Sequence, residues 1–226
     1  MTLISHEPFQ LAGRYADRNR WEVLNGPGDS RVTGLEIIKD EGIEGKWSGK
    51  AVLITGISAG IGIKTFEAMA ATGATVFGTA RSLQKAKDAL GTLLDNPRCH
   101  QSGGKLNVVI NNAAVMNTPD EKTKDGFELQ FQTTNHLSHF LLFYLLKDLL
   151  LASATPEFHS RVVTVASAAH RYSPCRLDNI NFDGEYNGWM AYGSSKTANV
   201  YFDNQVERLY GPQKLWEKSK QWAGVE

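Results

Sequence analysis

The sequence predicts an α/β fold with a doubly wound parallel sheet, and three observations carry that expectation. Short apolar runs of strand type alternate with segments of helical spacing between residues 50 and 210, and that alternation builds parallel sheets covered by helices. The run Leu106-Asn-Val-Val-Ile110 lacks the polar–apolar alternation of a half-exposed strand, as a strand buried on both faces should. Glycines crowd the turn after the first strand, the place where an open α/β sheet binds its ligand.

The elements follow in order. Residues 1–46 are polar and punctuated by Gly26-Pro27-Gly28 and Gly42. They read as a surface extension, in which Ser30 caps a short helix through Leu35, Ile37 and Ile38 that ends near Gly42. Residues 47–210 form the domain. Lys50–Thr55 is its first strand, Ile63–Ala71 a helix, Ala74–Ala80 the second strand and Leu83–Leu94 the next helix. Leu106–Ile110 is the third strand, Phe127–Leu151 one long helix, Arg161–Ala166 the fourth strand and Ala191–Tyr210 a further helix. Residues 211–226 read as a short amphipathic tail.

Composition narrows the function classes. Hydrophobic residues make up 42% of the 226 and charged residues 21%, which excludes wholesale disorder. Lys+Arg and Asp+Glu balance at 24 each, which argues against a nucleic-acid partner. Cys99 and Cys175 are too few for a disulfide framework or a zinc cage, so a reducing, cytoplasmic compartment is expected. The N-terminus has neither the basic nor the apolar region of a signal peptide. The greasiest stretch, His139–Ala154, is broken by Lys147-Asp148 and falls short of the roughly 20 residues of a membrane span.

Two clusters carry chemistry. The loop Thr55-Gly56-Ile57-Ser58-Ala59-Gly60-Ile61-Gly62 lies between a strand and a helix. Glycines there let backbone N–H groups and the helix dipole meet a pyrophosphate, although a tight strand-to-helix turn asks for the same glycines. Where an acid would bind the ribose 2′-hydroxyl, the second strand ends at Arg81. A guanidinium fork suits a 2′-phosphate, favouring NADP(H) over NAD(H), against the alternative of a solvated loop arginine. Asn111 and Asn112 close the third strand, where amides could line the crevice.

The second cluster starts with Tyr192 and Lys196, four apart on one helix face. A phenol works as acid and base at neutral pH only if something stabilises its phenolate, and an ammonium does so. Chance alone supplies about 0.4 such pairs in a chain of this composition, so the pair needs company. Ser167 ends the fourth strand at the ligand edge of the sheet, and Asn135 is a polar residue in a largely apolar helix.

Taken in order, Thr55-Gly-x3-Gly-x-Gly62, Asn111-Asn-Ala-Ala114, Thr134-Asn-His-Leu137, Ser167 and Tyr192-x3-Lys196 resemble the short-chain dehydrogenase/reductases, over about residues 14–210. The likeness is greatest to the retinol-dehydrogenase-like branch, and Lys122-Thr-Lys-Asp-Gly-Phe127 further resembles fungal members. The resemblance implies a Rossmann-like fold in which Gly56, Ser58, Gly60, Ile61, Gly62, Arg81, Asn111 and Asn112 face the cofactor. It implies that Tyr192 is the general acid/base and that Lys196 holds the nicotinamide ribose and lowers the Tyr192 pKa. It also implies that Ser167 orients the carbonyl and Asn135 anchors a proton-relay water. A lipophilic ketone, aldehyde or alcohol is the substrate class it suggests, as in fungal secondary metabolism. Helices 127–151 and 191–210 correspond to the family's dimer bundle, which some members of the branch leave unused.

The chain also departs from the family pattern. Only Pro97–Lys105 is left for a strand and helix that the family places before the Asn111 turn, and the segment after Tyr210 is far shorter than a nicotinamide wall and lid require. What remains is the expected centre of the sheet, order 2-1-4-5 in the family's strand numbers, with new edges and uncovered apolar faces. The helix after the second strand is expected to move to the opposite face of the sheet, to keep a right-handed crossover. Two functions follow: an NADP(H)-dependent oxidoreductase, or a shortened, non-catalytic relative that binds cofactor or pairs with a full-length partner.

Overall fold

Four apolar segments lie side by side in one parallel sheet, in a computed structural model that describes residues 13–26, 28–95 and 104–210. The strands are β1 (Ala51–Thr55), β2 (Thr75–Thr79), β3 (Val108–Asn111) and β4 (Arg161–Thr164), in the order β2-β1-β3-β4. The helices are α1 (Gly34–Asp40), α2 (Ile61–Ala71), α3 (Leu83–Leu90), α4 (Leu137–Ser153) and α5 (Gly188–Tyr210). This is the expected α/β, Rossmann-like architecture. The tail 211–226, Cys99 and most of the segment 97–105 lie outside the described residues.

Register decides which residues share a face. Val52 pairs with Val76 and Val108, and Ile54 pairs with Ile110, so these side chains line one surface. Phe66 of α2 and Ala86 and Leu90 of α3 bury against them. Burying a phenylalanine fully, as here, stabilises by roughly 2–3 kcal/mol. The opposite face, with Leu53, Val109 and Val162, is covered by Leu142, Phe143, Leu146 and Leu150 of α4. Among the described residues no helix is long and apolar enough to cross a membrane.

Several expectations are corrected. Thr33, not Ser30, caps α1: its Oγ1 accepts from the Glu36 N–H at 3.2 Å, while Glu36 Oε2 accepts from the Thr33 N–H at 2.7 Å. A threonine followed three residues later by glutamate satisfies two orphan amides at once, which Ser30 cannot. The Leu83–Leu94 helix ends at Leu90, because Gly91 turns the chain at φ +49 into a short 3-10 stretch, Gly91–Asp95. β4 stops at Thr164, and α5 starts before Ala191, at Gly188. α3 does not change faces. Its Ala86 and Leu90 join the same cluster as Phe66 of α2, since that surface, extended by Ile57 and Val76, is where its apolar stripe finds partners.

The long helix 127–151 is broken. Phe131–Asn135 is a π turn, and His136, at φ −135 and ψ −65, separates it from α4. The outer face of α4 is apolar yet bare: Phe140, Leu141, Tyr144 and Leu145 are exposed, the last at 70%, beside exposed Tyr201 and Tyr210 of α5. Contiguous apolar surface of this kind drives association. The purified chain is therefore expected to elute larger than a monomer in size-exclusion chromatography. The pair Leu141→Glu and Leu145→Glu should shift it towards the monomer. A monodisperse monomeric parent chain with a sharp, reversible melt would contradict this.

Candidate active site

Parallel strands release their chains at one edge, and the site residues gather there. After β1 the backbone N–H groups of Gly56 and Ile57 both donate to the Thr79 carbonyl, at 2.9 and 3.1 Å, which holds the glycine loop against the end of β2. Each glycine has its own reason. Gly56, at φ +78, lies so near Ala113 that a Cβ would come within 2.7 Å of its Cα. At Gly62 a Cβ would stand 2.1 Å from the Gly56 carbonyl oxygen. Gly60 is different: φ is +61, but a Cβ would meet nothing within 4 Å.

The loop therefore opens at Gly60, which is the residue preceding α2 and gives it no side-chain cap. Free N–H groups at an open helix N-terminus suit a pyrophosphate, so the residues present fit a dinucleotide. Ser58 is half-buried and Ile61 exposed, on either side of Gly60. Arg81, two residues beyond β2, is exposed.

The asparagines bond within the protein, although Asn111 Oδ1 is buried with no partner among the described residues. The Asn112 side-chain amide donates to the carbonyls of Thr55 at 2.9 Å and Gly56 at 3.2 Å, bracing the glycine loop. Asn111 is buried and its Nδ2 donates to Thr164 Oγ1 at 3.3 Å.

Asn135 ends the π turn, fully buried. Its Oδ1 accepts from the Val115 N–H at 3.2 Å, and its Nδ2 donates to the Val115 carbonyl at 3.1 Å and to Ser195 Oγ at 2.9 Å. Ser195 Oγ in turn donates to the Tyr192 carbonyl at 2.7 Å. Thus Asn135 and the Tyr192 turn, distant in sequence, are fixed together.

Lys196 lies 2% exposed on α5, its Nζ donating to the Val165 carbonyl at 2.9 Å and sitting 5.7 Å from the Tyr192 ring centroid. Burial pushes its ammonium down to about 8. Ser167, two residues past Val165, accepts from the Ala169 N–H at 3.2 Å and starts a 3-10 turn, Ala168–Arg171. Gly193 lets α5 close on that turn, because a Cβ would meet the Ala169 carbonyl oxygen at 2.8 Å. Thr197 Oγ1 lies 3.1 Å from the His170 carbonyl and 2.6 Å from that of Ser173, joining the same two elements.

Sequence reasoning missed a buried polar knot beside these residues. Gln130 Oε1 accepts from the Asn117 N–H at 2.8 Å, and its Nε2 donates to the Gly188 carbonyl at 3.0 Å and to Tyr186 Oη at 3.2 Å. Glu128 Oε2 accepts from the Phe131 N–H at 2.7 Å. Together they fix where α5 begins. It also missed His139, buried on α4 with Nε2 at 2.9 Å from Thr55 Oγ1. The available signal was polar residues recurring at inward positions of an otherwise apolar segment.

The chain is 43% identical over 221 residues to the short-chain dehydrogenase/reductase prx1 of Penicillium roqueforti, an overlap of 89% of this chain and 65% of that protein. It is 33% identical to mouse retinol dehydrogenase 14, covering 82% of this chain and 62% of that one. A crystal structure of an uncharacterized protein from Mycobacterium paratuberculosis superposes with a TM-score of 0.59 at 34% identity, over 79% of this chain and 65% of the other. No family model matches. The chain belongs to the short-chain dehydrogenase/reductases, and it spans just under two thirds of the length of these relatives.

Titration of the buried histidine gives a test of the site's packing. Burial, helped by the charge of Lys196, pushes His139 from 6.5 down to about 4. Below about pH 6.5 the unfolded chain takes up a proton that the folded chain refuses until about 4. Stability is thus fully present above pH 6.5 and is lost as the pH falls towards 4. The loss should be roughly 2 kcal/mol between pH 7 and pH 5. His136, also lowered by burial, adds in the same sense. Urea unfolding at the two pH values should show the loss, and His139→Gln should remove the larger part of it.

Proposed function

We propose that the chain is an NADP(H)-dependent short-chain oxidoreductase interconverting a lipophilic ketone or aldehyde and its alcohol. The observation that carries this is the buried Lys196 ammonium beside the Tyr192 ring, on the turn that Asn135 and Ser195 hold. The open backbone at Gly60, with Ser58, Ile61 and Gly62, would hold the pyrophosphate, and the Arg81 fork the 2′-phosphate. Asn112 acts by bracing that loop. When bound, the nicotinamide supplies or accepts the hydride.

The chain's own groups do the rest. Ser167 Oγ donates a hydrogen bond to the substrate carbonyl and fixes its oxygen within reach of Tyr192. Tyr192 Oη gives its proton to that oxygen on reduction and takes it back on oxidation. Lys196 stabilises the resulting phenolate and contacts the nicotinamide ribose, while Asn135 keeps its turn in place for proton resupply.

A second reading is a non-catalytic relative that needs a partner. It is favoured by the groove of about 470 Å³ beside β4, lined by Phe143, Arg161, Val163, Asp203 and Tyr210, where the sheet lies open. Homodimerisation through α4 and α5 is compatible with either reading.

Titrating tryptophan fluorescence with NADPH and NADH tests the cofactor assignment. NADPH should bind more tightly, and Arg81→Asp should reverse the order; equal or tighter NADH binding would sink the assignment. With decanal as substrate, Tyr192→Phe should abolish turnover and leave NADPH affinity nearly unchanged, whereas Lys196→Met should weaken both. A Tyr192→Phe variant that keeps most of its activity would exclude Tyr192 as the proton donor.

A further inference from the structure

The Thr55 hydroxyl, at the end of β1, has three partners. The backbone N–H groups of Asn112 and Ala113 donate to it at 3.0 and 2.9 Å, and His139 Nε2 lies 2.9 Å away. A hydroxyl offers two lone pairs and one proton. The amides occupy both lone pairs, so the proton points to Nε2, and Nε2 must be the acceptor. The imidazole is then neutral with its proton on Nδ1. Nδ1 is buried and has no hydrogen-bond partner among the described residues, so the Thr55 side of the ring alone sets the tautomer.

Asn135 is the residue that clamps Val115 and reaches Ser195. We propose that His139 is a positioning residue whose fixed Nδ1–H tautomer holds the strand end bearing the glycine loop to the first turn of α4, the helix that follows the π turn bearing Asn135. A proton on Nε2 would force the Thr55 hydroxyl to turn and release one amide of the Asn112–Ala113 turn. An imidazolium is disfavoured as well, by burial first and then by the charges of Lys196 and His136. Any effect on turnover rests on the oxidoreductase reading, whereas the hydrogen-bond lock does not.

The test has two arms, both on the full chain. With nitrogen-15 histidine, two-bond proton–nitrogen correlation spectra at pH 7 and 5.5, assigned by loss of a signal in His139→Gln, report the tautomer directly. The neutral Nδ1–H pattern is expected at both values. An Nε2–H tautomer at pH 7, or an imidazolium at pH 5.5, would overturn the proposal. In the second arm NADPH affinity is measured by fluorescence for Thr55→Val, His139→Leu and the double variant. Each single change should weaken binding about tenfold, since each leaves a buried polar partner unpaired, and the double should be no weaker than either single. Multiplying effects would refute the coupling. If His139→Leu does not fold, the parent spectrum still decides. If even the parent chain does not bind NADPH, the oxidoreductase reading falls while the tautomer result stands.

Discussion

All four strands of the sheet run the same way, and the site depends on that constraint. Parallel pairing brings Thr55, Thr79, Asn111 and Thr164 to one edge in register, where each strand ends with peptide groups that the ladder no longer satisfies. Short polar side chains take up those groups. Thr55 receives two amides and Asn112 donates to two carbonyls, while the side chains of Asn111 and Thr164 bond to each other. A polar floor results, on which the glycine loop, the π turn and the head of α5 all rest.

Much of this was legible in the sequence, because it is encoded locally. Strand-type runs, the glycine triplet and the Tyr192–Lys196 spacing are statements about neighbours along the chain, and the described elements follow them within a few residues. The break at His136 was not legible. It coincides with a pair of hydrogen bonds between Asn135 and Val115, twenty residues away and one in each direction, which no helical periodicity reports. The same holds for Asn112, whose motif suggests a ligand contact while its amide is spent on the loop beneath, and for α3. Handedness argued for moving that helix, but the long-range packing of Ala86 and Leu90 keeps it beside α2.

The two faces of the sheet are unequal. Among the described residues one holds ten buried residues in a single cluster, the other three, with half-buried neighbours from α4. The glycine loop springs from β1, at the centre of the well-packed side, while the Tyr192 helix stands over the thinner one. Apolar packing is thus concentrated under the glycine loop, and the π turn with Asn135 and the head of α5 with Tyr192 and Lys196 are also held by polar knots such as Gln130 and Thr197.

The π turn has a consequence for how this segment tolerates change. Such a turn holds one residue more than an α turn, and the non-helical His136 then redirects the chain into α4, so the stretch before Phe131 does not continue the phase of that helix. Glu128 and Gln130 are buried just before it, and Asn135 meets Val115 at its end. Substitutions along α4 would alter surfaces one at a time, but losing a single residue between 131 and 136 would rotate the whole upstream knot off its partners. Length in this stretch is therefore a quantity as tightly fixed as the identity of any side chain in it.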